Sequence, residues 1–481
     1  SIAKWIFLQL SPVTYRESLQ FAGYFALNTV FLLPLHVFLH KLPPLKNRFL
    51  SCAAGIFFFL VLIMLPGVFD GFAFYGTPAD VTMALVYGAL LLAIWDREGH
   101  EKAFYYGRIA LYVSILMLTK SVGVEWAVFA LVFYLMTAKR EKQILISVIA
   151  GGGFFACWPV FCLIRRRVAK LTGAGVKMVT SGYSVPDDAG TRLGYFVDGA
   201  FTMPMHQDHN LTFDLPMAAA LVVIFALVII MAHKKLINRQ EMKKLILFLL
   251  VTAIIAFGII FAAHISIFRT EDQYLDAYAM AVSIARYGCP FTLGSAMLLT
   301  GIAFERAGKA GNMCTSVIVF AASAAAILIT ADYTGMYRYL YGYRDSLDND
   351  QAVIDEMIGD DGRQILEAVS EKGYWGRRVL VFRDGTVNHR VHDTYISKAA
   401  SPVALVYDDL VIPDDTFQTI SDKIEASHAG YVLAENPESE AGALFEAFMD
   451  EGVTYTAGRV YNVLYTPQGV RLSERDQTDG Q

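Results

Sequence analysis

Residues 109–136 read IALYVSILMLTKSVGVEWAVFALVFYLM. Two apolar runs flank a short polar centre, and the only charged residues in the stretch are Lys120 and Glu125. Charge belongs where water or another charge can reach it, so the centre is a turn and the runs on either side are two membrane spans. Reading this stretch as a hairpin of spans fixes the class of the whole chain.

Composition agrees. The 481 residues are 55% hydrophobic, 13% aromatic and only 18% charged, with a mean hydropathy of +0.43, too apolar for an ordinary soluble protein. The net charge of −5 hides a division. Residues 1–337 hold 27 Lys and Arg against 19 Asp and Glu, whereas residues 338–481 hold 13 against 26. A weakly basic membrane part is therefore followed by an acidic, soluble one. Of the cysteines, Cys52, Cys157, Cys162 and Cys289 fall in or beside apolar runs and Cys314 starts another, so neither a disulfide framework nor a Cys-x-x-Cys metal site is visible. No charged leader or cleavage site is recognisable at the start.

Ten segments are apolar enough to be read as spans, near residues 18–39, 49–66, 80–96, 104–120, 122–137, 143–164, 216–232, 245–264, 290–304 and 314–331. The loops HKLPPLKNR, DREGHEK, AKREK, HKKLINRQEMKK and FERAGKAGN are basic and alternate with LPGVFDGFAFYGTPA, which has neither Lys nor Arg. The basic set reads as cytoplasmic. Residues 67–79, 121, 165–215, 265–289 and everything after 331 are then expected outside the cell (plasma) membrane, as is the N-terminus. Residues 1–16, SIAKWIFLQLSPVTYR, read as an external segment lying in the interface.

From about residue 345 the pattern changes to an amphipathic helix followed by short strand-like runs, RRVLVFRD, PVALVYDDL and AGYVLAEN. Helical patterns at 414–426 and 440–451 separate the later runs, predicting a small α/β domain over 338–481 with a largely parallel sheet. VTYTAGRVYNVLYTP, with its turn-like centre, is expected to form an antiparallel edge hairpin. No phosphate-loop or dinucleotide motif occurs here. The acidic pairs Asp408-Asp409 and Asp414-Asp415 fit either a Ca²⁺ site or, more simply, solvated loops. The preferred reading is a domain that stabilises the protein or guides an acceptor.

Charges at membrane depth are costly, at least about 2.5–3.5 kcal/mol each on insertion scales, and nearly all of them gather at the external end. Asp70 and Asp80 sit at the mouth of the second and third spans, and Lys120 and Glu125 flank the tight turn of the opening stretch. Arg165, Arg166 and Arg167 close the sixth span, where guanidinium forks suit a phosphate; binding of lipid headgroups is the competing reading. His206, Asp208 and His209 have the donor chemistry of a metal site but lack spaced partners. His264 precedes Glu271, Asp272, Arg286 and Tyr287, and on a helix Glu271 and Arg286 would share one stripe. Structural ion pairing accounts for these charges equally well.

Four features together resemble the GT-C fold glycosyltransferases, polytopic enzymes that use polyprenyl-phosphate sugars. YGTPADVTMALVYGALLLAIW is similar to the family segment in which an Asp opens a span after an external turn. LTKSVG resembles its Lys-bearing turn, ARYGCP resembles its Arg-Tyr-x-x-Pro signature, and a soluble domain follows the last span. The resemblance implies an α-helical polytopic transferase acting on the outer membrane face, passing a sugar to a glycan, lipid or protein acceptor of the cell envelope. By the same resemblance Lys120, Arg286, Tyr287 and Arg165 to Arg167 bind the donor phosphate, Asp80 serves the sugar or a supporting role at the catalytic centre, and Asp70 and Glu271 are second-choice catalytic acids. No obligatory cofactor is implied, although some related enzymes use a divalent cation, and a nucleic-acid partner is not expected. In one respect the chain departs from the family, whose catalytic carboxylate usually lies in the first external loop. Residues 1–16 hold no acid, and Glu17 lies in another context. A span and that loop are therefore expected upstream of Ser1.

Two other functions compete. A transporter or flippase of lipid-linked saccharides would require a polar path through the whole bilayer, whereas these ionisable residues cluster at one face. A bare anchor for the acidic tail would need far fewer spans.

Overall fold

The computed structural model describes residues 2–10, 17–74, 76–138, 140–164, 187–206, 212–213, 215–268, 274–335, 341–412, 414–435, 439–450, 453–467 and 469–474. The chain divides into two compact units, Ser1–Lys4 with Phe21–Tyr337, and Trp5–Gln20 with Arg338–Gln481.

Among the described residues, the first unit is built from helices. Its principal helices are α2 (Glu17–Leu39), α3 (Arg48–Ile63), α4 (Ala79–Trp95), α5 (Lys102–Thr119), α6 (Gly123–Thr137), α7 (Ile144–Ile164), α8 (Ala189–Phe201), α9 (Met217–His233), α10 (Arg239–Ser266), α11 (Ala277–Ala310) and α12 (Met313–Thr330); a short α1 (Ile2–Leu8) precedes them. Helices occupy all ten segments expected to span. Five of them, in α2, α7, α10, α11 and α12, are long and apolar enough to cross a membrane. Exposed side chains such as Ile149, Leu163 and Ile164 on α7 and Val317, Ile318 and Ile329 on α12 give the unit the apolar exterior of a membrane-embedded bundle.

At its centre stands α4, buried on every side from Asp80 to Ile94. A helix buried all round cannot be amphipathic, which is why its sequence carries no periodic polar face. It packs on α11, and the two backbones meet where Gly88 faces Gly294. A Cβ at Gly88 would lie 2.6 Å from the Met297 sulfur and 3.3 Å from the Gly294 Cα, and one at Gly294 would lie 2.5 Å from the Tyr87 ring. Small residues are what let helices approach this closely where no water drives them together.

α11 differs from expectation. The sequence predicts an external loop before a span near 290–304, yet the helix starts at Ala277, where the Asp276 side chain accepts from the Tyr278 and Ala279 amides. It runs for 34 residues, about 50 Å at 1.5 Å per residue. The Arg-Tyr-Gly-Cys-Pro motif therefore lies inside the helix, not before it. Pro290 is tolerated within the helix because neighbouring helices pack around the weakened turn.

The second unit holds a five-stranded sheet of order β2-β1-β3-β4-β5, with β1 Arg378–Asp384, β2 Ala404–Leu410, β3 Tyr431–Ala434, β4 Val460–Thr466 and β5 Gly469–Ser473. β1 pairs in parallel with β2 and β3, whereas β4 and β5 are antiparallel. α13 (Tyr343–Ala368), which breaks direction at Gly359, and α14 (Arg390–Ala399) cover one face, where Ile358, Ile365 and Ile396 meet Val379 and Val381. α15 (Phe417–Ser427) and α16 (Ser439–Glu446) cover the other, where Ile420, Ile424 and Phe445 meet Leu380 and Phe382. Alternate residues of β1 thus feed opposite cores, the mark of a central strand covered by helices on both faces.

Two sequence expectations shift in this unit. The edge hairpin exists, but it turns between Thr466 and Gly469, whose φ of 120° only glycine adopts without strain. The segment around Ala457 and Gly458, expected as its centre, instead leads into β4. α14 was not expected; the parallel β1–β2 pairing requires a crossover, and this helix supplies it.

Replacing Gly294 by Leu should force α4 and α11 apart and cost about 1–3 kcal/mol. Thermal unfolding in detergent should show a clear loss for that variant and little change for Gly152→Ala, a glycine with open space around it.

Candidate functional site

Asp80 enters the first turn of α4, after Pro78 at the N-cap. A carboxylate is favoured there by the helix dipole, but burial works against it: only 1% of the residue is exposed. Two cations compensate. Lys120 Nζ donates to one carboxylate oxygen at 2.6 Å and Arg286 Nε to the other at 3.0 Å.

The turn of the opening stretch delivers the first of these. α5 ends at Thr119, Lys120 is extended, and the Gly123 amide donates to the Lys120 carbonyl at 2.8 Å as α6 begins. Gly123 is needed because a Cβ there would collide with the Leu116 carbonyl. Lys120 pairs with Asp80 rather than with Glu125, whose buried Oε1 has no hydrogen-bond partner. The second cation, Arg286, projects from α11 one turn before Pro290. Both cations approach the ring of Tyr287, at 4.7 and 5.4 Å from its centroid, and that ring stacks on Phe268. The aromatic face thus holds two like charges near one carboxylate.

Arg286 and Tyr287 also line a cleft of about 580 Å³, with Phe72, Thr77, Tyr274 and Tyr278 among its other walls. Lys4 donates to the Thr77 carbonyl at 3.4 Å. Arg286 remains nearly half exposed although it is paired, so a ligand in the cleft can reach its guanidinium.

Asp70 lies in the loop before α4 and is 2% exposed. One carboxylate oxygen accepts from the Phe72 amide at 2.8 Å, and the other is buried with no partner. Burial pushes its pKa up to about 6; the Phe72 hydrogen bond and Arg286 oppose the rise, and the charge on Asp80 adds to it. Asp80 and Asp70 therefore differ in kind: one is locked by cations on both oxygens, the other keeps a free oxygen and a raised proton affinity.

Sequence reasoning missed Asp332, immediately after α12. It is 1% exposed, its Oδ1 accepts from the Thr334 amide, and its Oδ2 has no partner. A Cβ at Gly71 would lie 3.6 Å from that oxygen and 3.4 Å from His206, so Asp332 and His206 both flank the Asp70 loop. An acid directly following a span at the charge-bearing end was the available signal. The Asn28–Thr82 hydrogen bond, 2.7 Å and buried, offered none.

Of the remaining candidates among the described residues, only His206 lies beside this group. Arg165, Arg166, Arg167, Asp208, His209, Glu271 and Asp272 lie outside the described residues. His206 is buried, with Nε2 2.6 Å from the Thr330 carbonyl. His264 is buried against the Ile260 carbonyl and Ser283, and Arg192 lies 3.5 Å from the His264 and Phe268 carbonyls at the end of α10, which reads as structure rather than chemistry. Among the described residues no group of three or more His, Cys, Asp or Glu side chains could hold a metal. In the second unit, Asp415 is taken by Lys423 at 2.8 Å and by the Val411 amide, and the Asp408 carboxylate accepts from the Asp409 amide. Arg383, at the end of β1, is buried among Asp361, Asp393 and Glu435 at 2.9, 3.2 and 2.8 Å. Burial pushes Glu435 up to about 7, with Arg383 opposing and Asp361 and Asp393 adding to the rise.

No known protein family, curated protein or solved structure matches the chain.

The state of Asp70 can be measured. Its proton affinity is higher in the folded protein than in the unfolded chain, so its contribution is neutral below the unfolded value of 3.8 and becomes a penalty as pH rises through about 6. Asp70→Asn removes that penalty, which amounts to roughly 3 kcal/mol at full burial. The variant should unfold at a higher temperature than wild type at pH above 7, and the gain should fade as the solution is acidified towards pH 4.

Proposed function

We propose that the protein is a polytopic membrane glycosyltransferase of the GT-C type. In this reading it has ten spans, its basic loops are cytoplasmic, and its acidic α/β domain lies outside the plasma membrane. It takes a sugar from a polyprenyl-phosphate donor and passes it to a hydroxyl of a cell-envelope glycan, lipid or protein. The observation that carries the reading is the buried Asp80 holding Lys120 and the half-exposed Arg286 beside a cleft, with a second buried acid, Asp70, in the loop before α4.

The chemistry asks for two things. As the acceptor oxygen bonds to the anomeric carbon, the bond from that carbon to the phosphate oxygen breaks, and the leaving polyprenyl phosphate keeps the electron pair. Lys120 and Arg286 are suited to receive that charge, because Asp80 holds them in place without using all their donors. The acceptor proton needs a carboxylate that is free to take it. Asp80 is a poor base, since both its oxygens already accept from cations. Asp70, with an unpartnered oxygen and a pKa near 6, is the better one. Asp80 is accordingly a positioning residue. The cations suffice for a single phosphate, and the proposal needs no divalent ion.

Sugar transfer from a polyprenyl-phosphate donor in proteoliposomes is the direct test. Lys120→Ala combined with Arg286→Ala removes two charge-assisted contacts, worth about 1.5–3 kcal/mol each, and should lower the rate at least about 100-fold. Wild-type transfer by that double variant would reject the assignment, and movement of labelled lipid across the bilayer without any transfer would favour a flippase.

Base catalysis by Asp70 has its own signature. The wild-type rate should climb about tenfold per pH unit below 6 and level off above it, because the base must lose its proton first. Asp70→Asn should leave a slow residual rate lacking that limb; an unchanged limb would transfer the role to another acid.

A further inference from the structure

A second polar cavity lies at the opposite end of the bundle from Asp80. The C-terminal ends of α4, α6 and α11 and the first turns of α10 enclose about 310 Å³, at the lower end of the range of small-ligand pockets. All its walls belong to the first unit.

Its carboxylates are already satisfied. Glu305, buried, accepts from the Trp95 indole at 2.5 Å and from Lys309 at 2.8 Å. Lys309 also reaches Glu98 at 2.6 Å. Glu241 takes Arg306 at 2.6 Å and, through its other oxygen, the Asn238 amide that begins α10. A third lining cation, Arg97, is taken by Glu141. What remains is Lys244, half-buried on the cavity wall one turn further along α10, with no partner among the described residues. The cavity thus contains a cation left over after every lining acid is paired, and it opens beside the positive end of the 28-residue α10 dipole.

An ammonium held half out of water without a counter-charge is favoured by an anion, and paired carboxylates no longer repel one strongly. We propose that this cavity binds a phosphate group, with Lys244 as the primary donor and Arg306 as a second. At a membrane face such a group arrives as the headgroup of an anionic phospholipid or as a soluble phosphate. The chemistry of recognition is the same, and the two sources are separable by experiment. The inference needs only the membrane-embedded bundle and stands apart from glycosyl transfer.

The full chain is purified and placed in phosphatidylcholine nanodiscs with and without phosphatidylglycerol, and separately titrated with inorganic phosphate in phosphatidylcholine alone. Unfolding temperature and native mass spectrometry read the binding. Phosphatidylglycerol should be retained and should raise the unfolding temperature. Lys244→Gln should weaken the response roughly tenfold, as expected for one charge-assisted contact, and Lys244→Arg should restore it. Lys243→Gln, the same charge change at an exposed neighbouring position outside the cavity, should leave the response intact. A response to inorganic phosphate with the same Lys244 dependence also supports the site and identifies a soluble source. Equal responses in Lys244→Gln and Lys243→Gln, or no response to either phosphate source, would overturn the proposal.

Discussion

A buried carboxylate has to be paid for by charge, and in this protein the requirement organises one end of the bundle. Asp80 is almost out of water, an arrangement that costs several kcal/mol unless cations meet both oxygens. Meeting them fixes the lengths of three elements at once. α5 must stop at Thr119 so that Lys120 can extend, α4 must begin at Ala79, just after Pro78, and α11 must start well before Pro290 to present Arg286. Removing Asp80 leaves two cations close together without a counter-charge, and removing either cation leaves one oxygen of a buried carboxylate without its donor.

The close approach of α4 and α11 makes that ion triad rigid. Gly88 against Gly294 lets the two backbones meet in the middle of the bundle, so the Asp80 and Arg286 ends cannot drift apart independently. Charge compensation at one end and backbone contact in the centre are two parts of one device, since an ion pair keeps its geometry only where the elements carrying it keep theirs. At the other end, the pairs Lys309–Glu305 and Arg306–Glu241 tie α11 to itself and to α10. Charge again gathers where helices end, because only there can long side chains reach both water and one another.

Much of this was legible in the chain. The ten apolar segments are helices, the charge division at about residue 338 separates a helical unit from a sheet-bearing one, and Lys120 lies in a turn between two helices. The charges of the candidate site were recognisable because an ionisable residue among apolar ones has few structural excuses. The pairing was not legible. Glu125 is only five residues from Lys120 along the chain, yet Asp80, forty residues away, takes the lysine. Sequence distance carries no information about which of two acids a lysine will meet once helices pack. Asp332 escaped notice for a similar reason, as a single acid past the last span looks like an ordinary loop residue until the fold buries it beside the Asp70 loop.

The sequence by itself determined the apolar segments, the turn at Lys120, the acidic α/β tail and the residue types available for chemistry, because hydropathy and turn propensity are local properties. Tertiary structure alone decided which charges are partners, which carboxylate keeps a free oxygen, and that the Arg286 motif lies within a helix. Those outcomes depend on desolvation and on contacts between segments distant in the chain, and a buried carboxylate is satisfied only by the cations that packing brings to it.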